Sequence, residues 1–438
     1  MKRSGMMRGG LASLLVMGTS LLAACGGGGS SSGTTQIRLV NATVGVSSLD
    51  LYTSDSLLLS GVASNAASAY KDASTGNYTI KATNTGSATA LSSASPTFEK
   101  DIAYTVITWG LAGATQTFYF PDNEEAPSAG LAKVRLFNTS LDAGALDLYL
   151  TASNADLGSA TPVVSAISGS RFSGYSEVTA GTYRLRVTAN GSKTDVRLDL
   201  PSVTLSALDV FTLITQPSQS GMLVHGLQLL QKGAVAASPN TQARVRLVAS
   251  VAGNGAVTAN VGSSSLNVGL PSPSVGSYVL VPAGSQVLSG QVSGTTLAPE
   301  TQSLVAGGDY TLLAHGPLAT PKLTLIADDN RLPSSSTSAK MRLINGVSGQ
   351  GGLTMAVDFS AVANNVAVGS ASDFALVPSN SAARIDVTSG LTGTTLYSSS
   401  TTTTNGTATT INILQQGVYT LFMLDGAASP SGALRRER

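Results

Sequence analysis

Apolar and polar residues alternate with a period of two along much of this chain. Tyr183, Leu185 and Val187 alternate with Arg184, Arg186 and Thr188, and Leu146, Leu148 and Leu150 alternate with Asp147 and Tyr149. That is the pattern of strands with one buried face. The runs are short, and Thr75-Gly76-Asn77, Ala180-Gly181-Thr182 and Asn190-Gly191-Ser192 fall between them as turn signals. Asn190-Gly191 predicts a hairpin with a type I′ turn, because both residue types tolerate positive φ. No stretch beyond Thr35 carries a long helical period.

The strand pattern repeats. Arg38-Leu39-Val40-Asn41 returns as Arg135-Leu136-Phe137-Asn138, Arg246-Leu247-Val248-Ala249 and Arg342-Leu343-Ile344-Asn345, with successive arginines 97, 111 and 96 positions apart. Leu49-Asp50-Leu51-Tyr52 and Leu146-Asp147-Leu148-Tyr149 both start 11 positions after their arginine, and apolar Val257 and Leu353 hold that offset in the other copies. A late strand follows in each copy: Tyr104-Thr105-Val106-Ile107, Phe211-Thr212-Leu213-Ile214, Tyr310-Thr311-Leu312-Leu313 and Tyr419-Thr420-Leu421-Phe422. Units of about 100 residues exceed the roughly 20–45 of a solenoid repeat and are the size of domains. Many short strands per unit predict an all-β chain of tandem antiparallel β-sandwiches of immunoglobulin-like architecture. A closed barrel has the same periodicity. The Cys…Trp…Cys hallmark of antibody domains is absent, since the single Trp109 lies near the end of the first unit. Breakers at Pro121–Pro127, Ser238-Pro239-Asn240 and Pro333–Ser336 divide the chain into units at 36–127, 128–238, 239–334 and 335–438.

Ahead of the units, Lys2, Arg3 and Arg8 precede the apolar stretch Leu11 to Leu22, and Leu22-Ala23-Ala24-Cys25-Gly26 holds the only cysteine. A charged start, a short apolar run and small residues describe a secretory signal over 1–24, with an apolar part too short to span a bilayer. Leu22 to Cys25 resembles the lipobox of bacterial lipoproteins. The resemblance implies cleavage between Ala24 and Cys25 and acylation of Cys25, and Gly26 in place of Asp implies the outer membrane. Two or more acyl chains anchor stably where one is marginal. An ordinary cleaved signal with an incidental cysteine is the alternative. Residues 25–35 are then the lipidated cysteine and a Gly/Ser tether with a reach of about 17 Å for ten residues.

Composition narrows the functional classes. Only 11% of the 438 residues are charged and the net charge is +1, so there is no electrostatic footprint for nucleic acid. With Cys25 acylated, no thiol is left for disulfides, thiolate metal sites or cysteine catalysis. His225 and His315, each before a glycine at a strand end, are the candidate general bases. No nucleophile or acidic orienter stands at a recognisable offset from either, and no nucleophile elbow, H-E-x-x-H pair or Walker loop occurs. The reading is non-catalytic, with no cofactor and no metal. Asp122-Asn123-Glu124-Glu125 and Asp328-Asp329-Asn330 read as solvated linkers, with interdomain Ca²⁺ as the alternative. Tyr52 and Tyr149 are candidates for stacking on sugars or for sheet-surface pairing.

The sharpest polar signal is the recurring Arg38, Arg135, Arg246 and Arg342. A line of guanidinium groups could bind sugar acids, phosphate or a partner's carboxylates. The structural reading is a cross-strand pair, with Asp50 and Asp147 as partners in the first two units and Thr258 and Thr354 at that offset in the others. Together the Arg-Leu-Val-Asn strand, the Leu-Asp-Leu-Tyr strand, the Gly-x-Tyr elements at Gly76–Tyr78 and Gly181–Tyr183 and the late Tyr-Thr strand resemble the DUF4397 domain. That family implies tandem β domains on exported bacterial lipoproteins, and it brings no catalytic residues. The expected function is a structural or protein-binding role at the cell envelope, with membrane contact through Cys25. A surface-exposed carbohydrate-binding or adhesive protein is the second expectation, and an envelope hydrolase using His225 or His315 the third.

Overall fold

The computed structural model describes residues 33–399, 403–404, 407–408, 410–426 and 429–438. Strands dominate, and among the described residues the helical turns are 3₁₀ turns such as Leu141–Ala143 and Leu157–Ser159. Four consecutive units each fold into two open sheets, so they are sandwiches, not closed barrels. Among the described residues no helix is long and apolar enough to cross a membrane.

The opening strands are Thr34–Val44, Leu131–Asn138, Gln242–Val251 and Ser338–Asn345. Each lies in the middle of one sheet beside the late strand of its own unit, respectively Ala103–Leu111, Val210–Pro217, Asp309–Gly316 and Val418–Leu424. These two strands run parallel, with Arg38 opposite Thr105, Arg135 opposite Thr212, Arg246 opposite Thr311 and Arg342 opposite Thr420. All other strand pairings among the described residues are antiparallel. A parallel pair needs a long crossover, and here the whole second sheet of the unit serves as that crossover.

One face of each opening strand fills its own core. Ile37 and Leu39 meet Leu49, Leu51 and Ile80 in the first unit, and Met341 and Leu343 meet Leu353, Met355 and Ile385 in the fourth. The other face is also buried. Val40, Ala42, Ile107 and Trp109 of unit one pack on Phe137, Ile214 and Leu227 of unit two. Val248 and Leu313 of unit three pack on Ile344, Phe422 and Leu424 of unit four. The sandwiches therefore associate face to face in two pairs, each a stack of four sheets whose two inner sheets are covered on both sides.

Repeated polar residues fix the joins inside a unit. Asn41, Asn138 and Asn345 donate through Nδ2 to Val62 O, Ile167 O and Val366 O in the second sheet, at 2.8–3.0 Å. Their Oδ1 atoms accept the N–H two residues on. In unit three Ala249 has no such group, and Ser272 replaces it: its Oγ accepts Val251 N–H and donates to Gly255 O. Tyr104, Tyr310 and Tyr419 accept the backbone N–H five residues upstream through their hydroxyls. Unit two has Phe211 there, and Asp209 takes over by accepting Ser206 N–H.

Asp50 and Asp147 are not the partners of Arg38 and Arg135. Asp50 accepts Gly61 N–H and Gly86 N–H. Asp147 accepts Ala166 N–H, Gly191 N–H and Asn190 Nδ2. Each carboxylate ties a bulged neighbouring strand to a hairpin turn. Burial acts against the charge on Asp50, yet the Gly86 and Gly61 N–H groups hold its carboxyl below the usual range. Thr258 and Thr354 do half of this work, each accepting one N–H from the neighbouring strand. The 190–191 turn is correspondingly not type I′, because only Gly191 has positive φ.

Candidate functional site

Four guanidinium groups mark the faces that the inner sheets turn to one another. Each Nε donates to the hydroxyl of the threonine opposite on the late strand: Arg38 to Thr105 at 2.8 Å, Arg135 to Thr212 and Arg246 to Thr311 at 2.9 Å, Arg342 to Thr420 at 3.3 Å. Each lies under an aromatic ring of its own unit, Tyr70, Tyr175, Tyr278 and Phe374 respectively, 4.5–4.9 Å from the centroid. Nε is thereby held in place, and the Nη atoms point at the neighbouring sandwich.

What the Nη atoms reach differs from unit to unit. Arg38 crosses to the second unit and donates to Gly233 O at 2.7 Å and Leu230 O at 3.1 Å. Arg246 crosses to the fourth unit and grips Glu437 with both Nη atoms, at 2.9 and 2.8 Å. Arg342 crosses back to the third, donating to Ala327 O and to Asp328. Arg135 is half-buried and is enclosed by Phe120 of unit one together with Phe172 and Tyr175, at 4.5–4.7 Å. Such ring faces are worth about 0.5–2 kcal/mol to a cation. Burial lowers the Arg135 pKa, with Tyr175, Asp122 and Glu124 opposing.

The two acidic clusters belong to this interface, which corrects their reading as solvated linkers. Asp122 is 2% and Asp328 3% exposed. Both stand at the end of the last strand of an odd-numbered unit, Asp328 as the final residue of Lys322–Asp328 and Asp122 directly after Gln116–Pro121. Asp122 accepts Tyr70 Oη at 2.7 Å and Thr105 Oγ1 at 2.6 Å, with Arg38 Nη2 at 3.7 Å. Asp328 accepts Tyr278 Oη at 2.6 Å and Thr311 Oγ1 at 2.8 Å, pairs with Arg342 and lies 3.6 Å from Arg246 Nη2. Burial raises the Asp328 carboxyl, but Arg342 and Arg246 more than offset this and hold it below the usual range. A second tier lies outside: Lys133 pairs with Glu124, and Lys340 with Asp329 at 3.2 Å. In both pairs the even unit brings the lysine and the odd unit the acid.

The sequence model of the family described as "Domain of unknown function (DUF4397)" matches residues 35–149 and 243–347, together half of the chain. The chain belongs to the DUF4397 family. Each match begins on the opening strand of an odd-numbered unit and runs past the arginine of the next, so each DUF4397 match spans both arginines of a face-to-face pair. No curated protein matches the chain. Among solved structures it is similar to the Bacillus anthracis TIE protein, with 7% identity and a TM-score of 0.15 over 64% of this chain and 49% of that one. It is also similar to a product complex of a multi-modular glycogen-degrading pneumococcal virulence factor, SpuA, with 9% identity and a TM-score of 0.17 over 84% of this chain and 37% of that one. The chain thus spans about half of the first protein's length and little more than a third of the second's.

Ala24 and Cys25 lie outside the described residues. Tyr149 is buried, which removes it from any sugar-facing surface, and Tyr52 is half-buried. His225 Nδ1 accepts the N–H of Asn240, in the link to the third sandwich, at 3.0 Å. His315 Nε2 lies 2.9 Å from Thr324 Oγ1 on the adjacent strand. No carboxylate hydrogen-bonds either imidazole among the described residues. Among these residues, no group of three His, Cys, Asp or Glu side chains could hold a metal.

Burial lowers the pKa of both histidines, aided by Lys322 at His315. A proton on Nδ1 of His225 would also face the Asn240 N–H. The native chain therefore resists protonation while the unfolded chain, with imidazoles near pKa 6.5, takes it up. Stability is expected to be full above about pH 7 and to fall as pH drops below about 6.5 towards the lower native values. Thermal melts across this range should show the loss in the wild type and its flattening in His225→Gln/His315→Gln.

Sequence reasoning missed the threonines, rings and acids around the arginines. The signal was present: Tyr70, Tyr278 and Phe374 each stand 32 positions after their arginine, and Tyr175 stands 40 after Arg135.

Proposed function

We propose that this chain is a non-catalytic scaffold of the bacterial cell envelope. Acylated Cys25 holds it at the outer membrane, on the periplasmic face or at the cell surface, and the sandwich pairs serve a structural or protein-binding role. The observation that carries the reading is the destination of the repeated arginines. The most prominent polar residues of the repeat hold sandwich against sandwich, as architecture would require. Their Nη groups end on carbonyls, carboxylates and rings of the neighbouring unit. A stack of four sheets bound in this way presents outer sheets and loop rims to a partner while its inner sheets stay rigid.

The test is metabolic labelling with a palmitate analogue followed by membrane fractionation. The wild type should take up label and sediment with membranes, and Cys25→Ser should lose both properties. Equal labelling of the two chains would overturn the anchor.

A further inference from the structure

The two sandwich pairs carry the same interface with one difference at its rim. In the first pair the rim is filled by rings. Phe172 stacks on Phe137 at 3.8 Å, Phe120 meets Phe172 edge-on at 5.5 Å, and Phe118 lies 5.6 Å from Phe172 while remaining 45% exposed. The strand registers place Phe120 where the second pair has Ile326, and Phe172 where it has Ala371. The same alignment puts Thr324 in the place of Phe118. Lacking these rings, the second pair has a groove of about 620 Å³ at this position, between the edge strand Lys322–Asp328 and residues Gly369–Phe374, with Arg342 and Phe374 in its wall. Its rim carries the exposed carboxylate of Asp373, while the half-buried Asp329 is paired with Arg331 and Lys340.

A ring without a place stands elsewhere on the same chain. Phe359 is 78% exposed at the tip of the hairpin joining Leu353–Val357 to Ser360–Val366. Asp358 and Phe359 have φ of 47° and 69°, a conformation that disfavours large side chains and costs on the order of 1–3 kcal/mol. The turn is nevertheless held, because Asp358 accepts Arg384 N–H and Asn380 Nδ2 at 2.8 Å. The corresponding tips of units one and three carry Ser54-Asp55 and Gly262-Ser263. The Arg384 guanidinium lies 4.9 Å from the Phe359 ring, with its Nε donating to Asp386 at 2.7 Å, so the tip presents the ring beside the outer Nη edge of a guanidinium.

We infer that the groove over Arg342 and Phe374 receives the Phe359 hairpin of a second copy of this chain. The ring would take the place that Phe172 and Phe118 fill in the first pair, and the Nη atoms of Arg384, whose Nε donates to Asp386, would meet the exposed rim carboxylate of Asp373. Tip and groove are different patches, so the contact is heterologous and joins copies head to tail into open rows or rings. Tethering copies to one surface raises their effective concentration and favours such a contact. The inference deepens the scaffold reading and rests on it.

The test places the photocrosslinker p-benzoylphenylalanine at position 359 of the full chain, co-expressed with a differently tagged wild-type copy. Irradiation is expected to give a copy-to-copy product whose crosslinked peptide contains Thr324–Asp328 or Gly369–Phe374. That product should be lost when the second copy carries Ala371→Phe, which restores the ring found in the first pair. Crosslinks to lipid, to another protein or to other parts of the copy would overturn the inference, and so would no crosslink or one undiminished by Ala371→Phe. If the Ala371→Phe copy fails to accumulate, the mapped peptide on the wild-type copy decides. Failure here leaves the palmitate result untouched, so it is separable from failure of the anchor.

Discussion

Alanine in place of Asp328 is expected to remove about 3–5 kcal/mol of stability, the range for taking one partner out of a buried ion pair. The carboxylate serves four groups, Arg342, Arg246, Tyr278 and Thr311. Its loss leaves two guanidinium groups, each 2–3% exposed, short of their acceptor. Arg246 keeps Glu437 and Arg342 keeps Ala327 O, so the residues remain paired in part and the fold has a route to survive. Urea unfolding followed by far-ultraviolet circular dichroism should show the fourth and third units melting early. The emission of Trp109, the single tryptophan, reports the other pair and should keep its midpoint. The native Asp328 carboxyl lies below its ordinary value of 3.8, so its contribution is fully present above that pH. It disappears as pH falls through the native value, and wild type and Asp328→Ala should converge there.

Phe137→Ala should have an effect of similar size in the opposite pair. Phe137 is 2% exposed, stacked on Phe172 and edge-on to Trp109 at 5.9 Å. Truncating a buried phenylalanine costs about 3–5 kcal/mol, through lost transfer free energy and the cavity left behind. Because the cavity opens beside Trp109, the emission should shift to the red and its urea midpoint should fall. Phe137→Leu should recover much of both. An unchanged Trp109 midpoint in Phe137→Ala would mean that the two sandwiches do not support one another.

The period-two pattern made the strands and the sandwiches legible, and the Arg-Leu-x-Asn recurrence made the unit count legible. What the pattern concealed was a second buried face. Arg38, Val40 and Ala42 point one way and Ile37 and Leu39 the other, and an arginine on an alternating strand reads as solvent-facing unless its acceptors are known. For Arg38 and Arg246 those acceptors lie 191–195 residues along the chain, at residues 230, 233 and 437, where no local spacing connects them to the motif, and Arg342 reaches back only 14 residues to Asp328. The acidic residues beside prolines gave the sequence signature of an exposed link for the same reason. Asp50 and Asp147 attracted attention by their offset from the arginines, although their backbone partners, as N–H groups, leave no trace in side-chain identity.

The parallel pairing at the centre of each unit also sets when the unit can form. Arg38 meets Thr105 67 residues later, Arg342 meets Thr420 78 residues later, and Arg38 finds Gly233 only after 195. Nothing closes the inner sheet until the last third of a unit is available, and the backbone carbonyls that accept from the Arg38 Nη atoms arrive only near the end of the second unit. Contacts this distant place folding in the slow regime of milliseconds to seconds. A newly made chain therefore remains open until late in each unit, and it matures two sandwiches at a time.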